Sequence, residues 1–362
     1  MSNAILTTHN LTIGYQTSRN NFRCVAENIS VSLQAGELVC LLGPNGAGKS
    51  TLLRSLAGMQ PPVAGEVRLL NDNIYKLAPQ DLAKRLSLVL TEKVDVGMLS
   101  AYNLVTLGRH PYTNWWGNLT AEDEAIVQWA IKSVGALNLV SRQVGELSDG
   151  ERQKIMIARA LAQSPIVMLL DEPTAFLDLP RRVEIMQLLR NLARETQQAI
   201  LLSTHDLDLA LRLADQIWLL NSHGILQVGA PEDLVLSGAF ANTFKSEGVE
   251  FNIVSGEFNL HTPFKGEVQV IGDGISTIWT IRALQRVGFQ VKQTEKFSPY
   301  QNPSETQLLV KVISNSQENF WQTQTINDYQ NVYVHGSLYE LIGFLDKKVS
   351  HPKNDKLKNT NH

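Results

Sequence analysis

The eight residues Gly43-Pro44-Asn45-Gly46-Ala47-Gly48-Lys49-Ser50 constrain this chain more than any other stretch, because the apolar run Leu38–Leu42 precedes them and the apolar-periodic run Thr51–Ala57 follows. The order reads as strand, glycine-rich loop, helix. A loop spaced G-x-x-x-x-G-K-[ST] turns its backbone N–H groups inward around a polyphosphate, and side chains on the inner surface would obstruct that approach. Glycine supplies the missing bulk and the unusual dihedrals. A helix starting near Gly48 directs its positive end at the same phosphates, Lys49 can reach the β/γ oxygens, and the Ser50 hydroxyl can ligand Mg²⁺. Residues Gly43 to Thr51 are therefore expected to bind a nucleotide.

Further motifs support a site assembled on one sheet edge. Ile166-Val167-Met168-Leu169-Leu170 is a run of apolar residues that reads as a parallel strand buried on both faces, and it delivers Asp171 and Glu172 at its carboxyl end, where open α/β sheets bind ligands. With a phosphate loop upstream, Asp171 is the expected partner of Mg²⁺ and Glu172 the expected base for an attacking water. Pro173 stops that strand, and Asp178 belongs to the loop beyond it. Ala199–Thr204 repeats the buried-strand pattern and ends in His205. Leu147-Ser148-Asp149-Gly150-Glu151 opens a periodic helix. Ser148 and Glu151 have the spacing of a capping box, while Gly150 leaves the backbone open to an anion. Residues 4–14 and 22–35 alternate as strands of a partly exposed antiparallel layer, and Tyr15, which follows the Leu11–Gly14 strand end, suits either a core position or a stacking surface for a nucleobase. Helical periodicity takes over in residues 92–147. The loop Tyr112-Thr113-Asn114-Trp115-Trp116-Gly117 in that stretch offers aromatics either as core plugs or as a protein-contact surface.

Taken in order, Gly43–Ser50, Leu147–Glu151, Met168–Glu172, Asp178 and His205 resemble the nucleotide-binding subunit of ATP-binding-cassette (ABC) transporters over about residues 4–245. The likeness extends to importers of iron-siderophore, haem and cobalamin complexes through Leu107-Gly108-Arg109-His110-Pro111-Tyr112 and Gly229-Ala230-Pro231-Glu232-Asp233. It implies an α/β fold, the P-loop NTPase cassette: a mixed, mainly parallel sheet core, an antiparallel β layer and a helical lobe at about 92–160. It also implies ATP and Mg²⁺ as cofactors. Tyr15 would stack on adenine, Gly43, Pro44, Asn45, Gly46, Ala47, Gly48, Lys49, Ser50, Thr51 and Asp178 would belong to the nucleotide site, and Ser50 and Asp171 would hold Mg²⁺. Glu172 would be the catalytic base and His205 would contact the γ-phosphate. Ser148 and Gly150 would bind the ATP held by a second copy, so that two ATP molecules lie between head-to-tail cassettes. Two departures from the family pattern stand out: Asp149 stands where glycine is usual, and Thr91-Glu92 stands where a glutamine normally links Mg²⁺ to the membrane subunit.

At 362 residues the chain has room for a second unit beyond these motifs. Residues 246–264 are turn-rich and read as a junction. Residues 265–350 read as a small α/β domain, with strands at Glu267–Gly272, Gln307–Val312 and Val332–Val334 and helices at Ser276–Val287 and 337–348. Residues 351–362 form a polar, lysine-rich tail expected to be disordered. Gly272-Asp273-Gly274 lacks the third glycine and the lysine of a phosphate site and reads as a structural turn. A net charge of −3 does not recommend nucleic acid as a partner. The two cysteines, Cys24 and Cys40, have no metal-ligand spacing and fit reduced thiols in a cytosolic compartment. Neither a signal-like N-terminus nor an apolar run long enough to span a bilayer is present. The expected function is ATP hydrolysis on the inner face of the membrane, as a homodimer driving multi-span permease subunits fed by an outer substrate-binding protein. A soluble cassette acting on ribosomes or DNA fits less well, since such chains carry two cassettes or a long coiled-coil insert. An exporter subunit also fits less well, since the membrane part is often fused.

Overall fold

The structure, a computed structural model, describes residues 4–18, 21–91, 98–113, 117–245, 249–253, 256–260, 262–294, 308–314, 318–325 and 328–350. The chain divides into two compact units, Met1–Lys245 with Phe251–Glu257, and Ser246–Glu250 with Phe258–His362. Among the described residues no helix is long and apolar enough to cross a membrane.

The first unit opens with β1 (Ala4–Ser18), β2 (Asn21–Ile29) and β3 (Ser32–Gln34), crosses to β4 (Leu38–Leu42), and enters α1 (Lys49–Leu56) after the glycine loop. β5 (Ala64–Leu69) and β6 (Asp72–Asn73) follow, and α2 (Pro79–Ala83) leads into β7 (Leu86–Val89). α3 (Ala101–Thr106), α4 (Ala121–Ser133) and α5 (Asp149–Ala162) come next. Then β8 (Val167–Asp171), α6 (Leu179–Thr196), β9 (Ala199–Ser203), α7 (Leu207–Leu213) and β10 (Gln216–Leu220) alternate, followed by β11 (Leu226–Gly229), α8 (Pro231–Leu236) and α9 (Ala239–Thr243).

The uninterrupted apolar runs become the central strands, because a strand without a polar face must be covered on both sides. All five residues of β4, of β8 and of β9 are buried. They lie in a six-stranded sheet of order β11-β10-β4-β9-β8-β7, parallel throughout except for β11. The alternating N-terminal segments instead form an antiparallel sheet, β2-β1-β5-β6 with β3 also paired to β1. Between the two sheets, α1 contributes Leu52, Leu53 and Leu56 to a core shared with Leu11 and Ile13 of β1, Leu41 of β4 and Leu169 of β8. Each such leucine contributes about 2 kcal/mol through burial. The phosphate-loop helix is thereby anchored at its apolar face while its N-terminal end stays at the sheet edge.

In the helical lobe, α3 and α4 pack on α5. Arg109 lies in the turn between α3 and α4 and is buried. Its guanidinium donates through Nε to Asp123 Oδ1 at 2.8 Å, and through one terminal nitrogen to Ala162 O at 2.9 Å and Ser164 Oγ at 3.0 Å. Its Cζ sits 3.8 Å from the centroid of the Tyr112 ring. One cation thus fastens the capped start of α4 to the end of α5. The Tyr112 hydroxyl lies within donating distance of Gln163 O at 3.1 Å and Lys84 O at 3.3 Å and shares its one proton between them, which ties the lobe to the segment before β7. Trp115 and Trp116, read as a candidate contact surface, lie outside the described residues.

Beyond α9, β12 (Val249–Asn252) and β13 (Glu257–Leu260) pair in a two-stranded sheet within the stretch read as turns. The second unit continues with β14 (Gly266–Ile271), α10 (Gly274–Arg286), β15 (Phe289–Gln293), β16 (Leu308–Ser314), β17 (Asn319–Thr325), β18 (Asp328–His335) and α11 (Leu338–Ser350). β14 is flanked by two parallel partners, β15 and β16, and the sheet continues antiparallel through β17 to β18. Val268, Val270 and Val310 face Leu284 of α10 and Leu341 and Leu345 of α11 in its core. β15 and β17 were not expected from the sequence: their alternation is short or polar, and only the sheet around them makes them strands. The tail 351–362 lies outside the described residues.

Asp123 also accepts the Thr120 N–H at 2.9 Å, and that bond, with the Thr120 hydroxyl and Arg109, holds its carboxyl below the usual carboxylate range. A lowered folded-state value contributes stability above the ordinary carboxylate range that is lost as pH falls through it. Replacing Arg109 by Met leaves this carboxylate buried without its cation and should lower the unfolding free energy by about 3 kcal/mol at neutral pH. Urea unfolding should show that deficit, and should show it shrinking as the pH drops far enough to protonate Asp123.

Candidate functional site

A cavity of about 410 Å³ opens at the carboxyl edge of the parallel strands and is lined by Asn45, Gly46, Ala47, Gly48, Lys49, Ser50 and Thr51 along its floor, with Tyr15, Arg23, Cys24, Val25, Glu172, His205 and Ser222 around it. The floor is the glycine loop. A Cβ on Gly43 would lie 2.1 Å from Leu220 O, so the loop leaves β4 through a gap only glycine allows. Gly48 has φ 107°, and a Cβ there would lie 2.1 Å from Val25 Cγ1. No side chain caps α1, whose first residue follows Gly48, so the N–H groups of its first turn remain for an anion.

Lys49 is buried, and its ammonium donates to Gly43 O at 2.8 Å and Pro44 O at 3.2 Å. Burial pulls its pKa below the usual lysine range, while the carboxylates of Glu172 and Asp171 favour the charged form. A cation held loosely on carbonyls inside a cavity is available to phosphate oxygens.

Asp171 does not line the cavity but stands behind Ser50. Its Oδ1 accepts from Ser50 Oγ at 3.3 Å and from Ser203 Oγ at 2.6 Å. Thr91 Oγ1 donates to the Asp171 carbonyl at 2.5 Å. Glu172 takes a left-handed backbone conformation, φ 47°, with its N–H donated to Ser203 Oγ at 2.9 Å, and its Oε1 lies 2.6 Å from His205 Nε2. The motifs on α1, β8 and the segment after β9 are thus brought within hydrogen-bonding reach of one another.

Tyr15 is partly exposed at the cavity mouth rather than in the core, and it pairs across the ladder with Arg23, whose Cζ is 5.9 Å from its ring centroid. Arg23, Cys24, Val25, Ser203 and Ser222 were not singled out from the sequence as site residues. The first three reach the cavity only through the β1–β2 register, and Ser203 reads in sequence as the unremarkable end of a buried strand. Glu92 lies outside the described residues.

Three expected residues stand apart from the cavity. Ser148 caps α5: its hydroxyl accepts the Glu151 N–H at 3.4 Å, while Glu151 Oε2 accepts the Ser148 N–H at 2.9 Å. Those Ser148 bonds, followed by Arg142, hold the Glu151 carboxyl below its usual range. Gly150 lies in the first turn of the same helix, where a Cβ would meet the Arg181 side chain at an ordinary 3.5 Å from its Cδ. Asp178 caps α6 by accepting the Arg181 N–H at 3.0 Å.

Comparison with known proteins gives these geometries a family. Residues 26–175 match the family model described as ABC transporter, and residues 265–346 match the iron ABC transporter C-terminal domain. An uncharacterized ABC transporter ATP-binding protein of Methanocaldococcus jannaschii is 42% identical over 264 residues, covering 73% of this chain and 89% of that protein. The achromobactin transport ATP-binding protein of Dickeya dadantii is 36% identical over 259 residues, covering 71% of this chain and 93% of its own length. Among solved structures, a dimeric post-hydrolysis state of an ATP-binding cassette bound to ADP and Pi superposes with a TM-score of 0.54 at 26% identity, covering 62% of this chain and 98% of that one. The phosphate loop, the paired acids and these similarities together show that the chain belongs to the ABC transporter family, as one of its ATP-binding subunits and an ATPase.

Proposed function

We propose that the chain hydrolyses ATP to drive import of an iron chelate, working as a pair of copies on the inner face of the membrane beneath multi-span permease subunits. The observation that supports the chemistry is the convergence of Lys49, Ser50, Asp171, Glu172 and His205 at one cavity edge, with an uncapped helix start between them. The cargo reading rests on the second unit, whose residues 265–346 match an iron ABC transporter C-terminal domain, and on the achromobactin transport relative. An iron chelate is favoured over a corrinoid for that reason.

In this reading the triphosphate lies against the N–H groups of Gly46 to Thr51, and Lys49 exchanges its carbonyl partners for β/γ oxygens. Tyr15 stacks on the adenine. Mg²⁺ prefers a hydroxyl, a carboxylate and water over nitrogen or sulfur, so the oxygens of Ser50 and Asp171, 3.3 Å apart, suit it and would hold it. Bound there it would neutralise charge on the β- and γ-phosphates. Glu172 accepts the proton of the attacking water, while His205 keeps that carboxylate in place and faces the γ-phosphate. Ser148 and Gly150 stand apart from this cavity, which suits a role on the nucleotide of a second copy. The dimeric cassette bound to ADP and Pi supports a two-copy assembly.

Glu172→Gln should keep ATP binding and lower turnover by at least about 10². Near-normal hydrolysis by that variant removes Glu172 from the role of base. Because Tyr15 through His205 all lie in the first unit, a chain ending near Thr262 should stay soluble and bind ATP. If equilibrium binding finds no ATP affinity in that truncation, the last hundred residues complete the nucleotide-binding unit.

A further inference from the structure

One residue lining the cavity follows a strained peptide. Glu172 is a non-glycine residue in the left-handed region, with φ 47°, a conformation that persists only where the surroundings hold it. The peptide plane joining Asp171 to Glu172 is gripped from both sides. Its N–H donates to Ser203 Oγ at 2.9 Å, and its carbonyl accepts from Thr91 Oγ1 at 2.5 Å. On the first side β9 runs in register with β8 as far as Asp171 opposite Ser203. On the second side the β7–β8 register ends at Val89 opposite Leu170, so the backbone of β7 no longer serves the Asp171 carbonyl. The Thr91 side chain takes over where the ladder stops. Rotating this peptide would break both grips and swing the Glu172 carboxylate off His205 Nε2, which it meets at 2.6 Å.

We propose that Thr91 is a positioning residue for hydrolysis: its hydroxyl clamps the Asp171–Glu172 peptide and so orients the carboxylate of Glu172. The proposal rests on Glu172 being the base. Thr91-Glu92 stands where the resemblance leads one to expect a glutamine, and here Thr91 acts on the backbone of the acid pair. The residue lies just past the end of β7, ahead of α3 in the chain.

The test compares Thr91→Val, which keeps the shape and loses the donor, with Thr91→Ser, which keeps the donor, in the full-length chain at saturating Mg²⁺. Thr91→Val should lower kcat about tenfold with KM and ATP affinity unchanged, and Thr91→Ser should return kcat to within about twofold. In a Glu172→Gln background the valine should cause no further loss, because the hydroxyl acts through Glu172. An unchanged kcat in Thr91→Val, or an equal loss in both backgrounds, overturns the clamp while a slow Glu172→Gln still supports the base. Normal turnover of Glu172→Gln overturns the base, and the clamp with it. Should the valine variant not fold, Thr91→Ala against Thr91→Ser gives the same comparison.

Discussion

The carboxylate of Asp171 is the interaction on which the rest of the site depends. It is buried at the end of a strand whose other four residues are apolar, and a buried carboxylate must be satisfied by donors. Ser50 of α1 and Ser203 of β9 supply them, so the phosphate-loop helix and two neighbouring strands are held in one register at the cavity edge. The same Ser203 hydroxyl accepts from Glu172, and one short side chain thereby sets the positions of two acids. Charge is balanced nearby: Lys49 is the buried cation that faces these carboxylates, held for now by loop carbonyls.

The helical lobe is joined to this edge by few but well-satisfied contacts. Arg109 unites the ends of α4 and α5, and Gln163 at the end of α5 donates to the carbonyls of Ala83 and Leu86 just before and within β7. Gly108 allows that closeness, since a Cβ there would lie 2.3 Å from Arg159 O. The lobe is therefore fastened near the start of β7, while Thr91, just past the end of β7, donates to the Asp171 carbonyl.

The capping box at Ser148 closes the start of α5 from within one chain. Ser148 and Glu151 satisfy each other's backbone N–H groups within a single chain, which any helix start requires. Beside them Gly150 keeps the helix surface low, next to Arg181. The single chain stabilises this end of α5 by itself and leaves it apart from its own cavity.

Much of the site was legible in the sequence because it depends on local rules. The glycine loop announces itself through steric limits at Gly43 and Gly48, the buried runs Leu38–Leu42, Val167–Leu170 and Ala199–Leu202 through their lack of a polar face, and Ser148 and Glu151 through spacing along one helical turn. The order of strands β10-β4-β9-β8-β7, the grip of Ser203 and Thr91 on Asp171 and Glu172, and the arrival of Arg23 and Cys24 beside Tyr15 were not legible. The grips join residues far apart in the chain, Thr91 to Asp171 across 80 positions and Ser203 to Asp171 across 32, and the Arg23 pairing depends on the register of β1 with β2; each is decided by how strands meet. A hydroxyl at a strand end looks the same in sequence whether it meets water or a carboxylate. Only packing, which removes the water and leaves the carboxylate in need of donors, makes it part of the site.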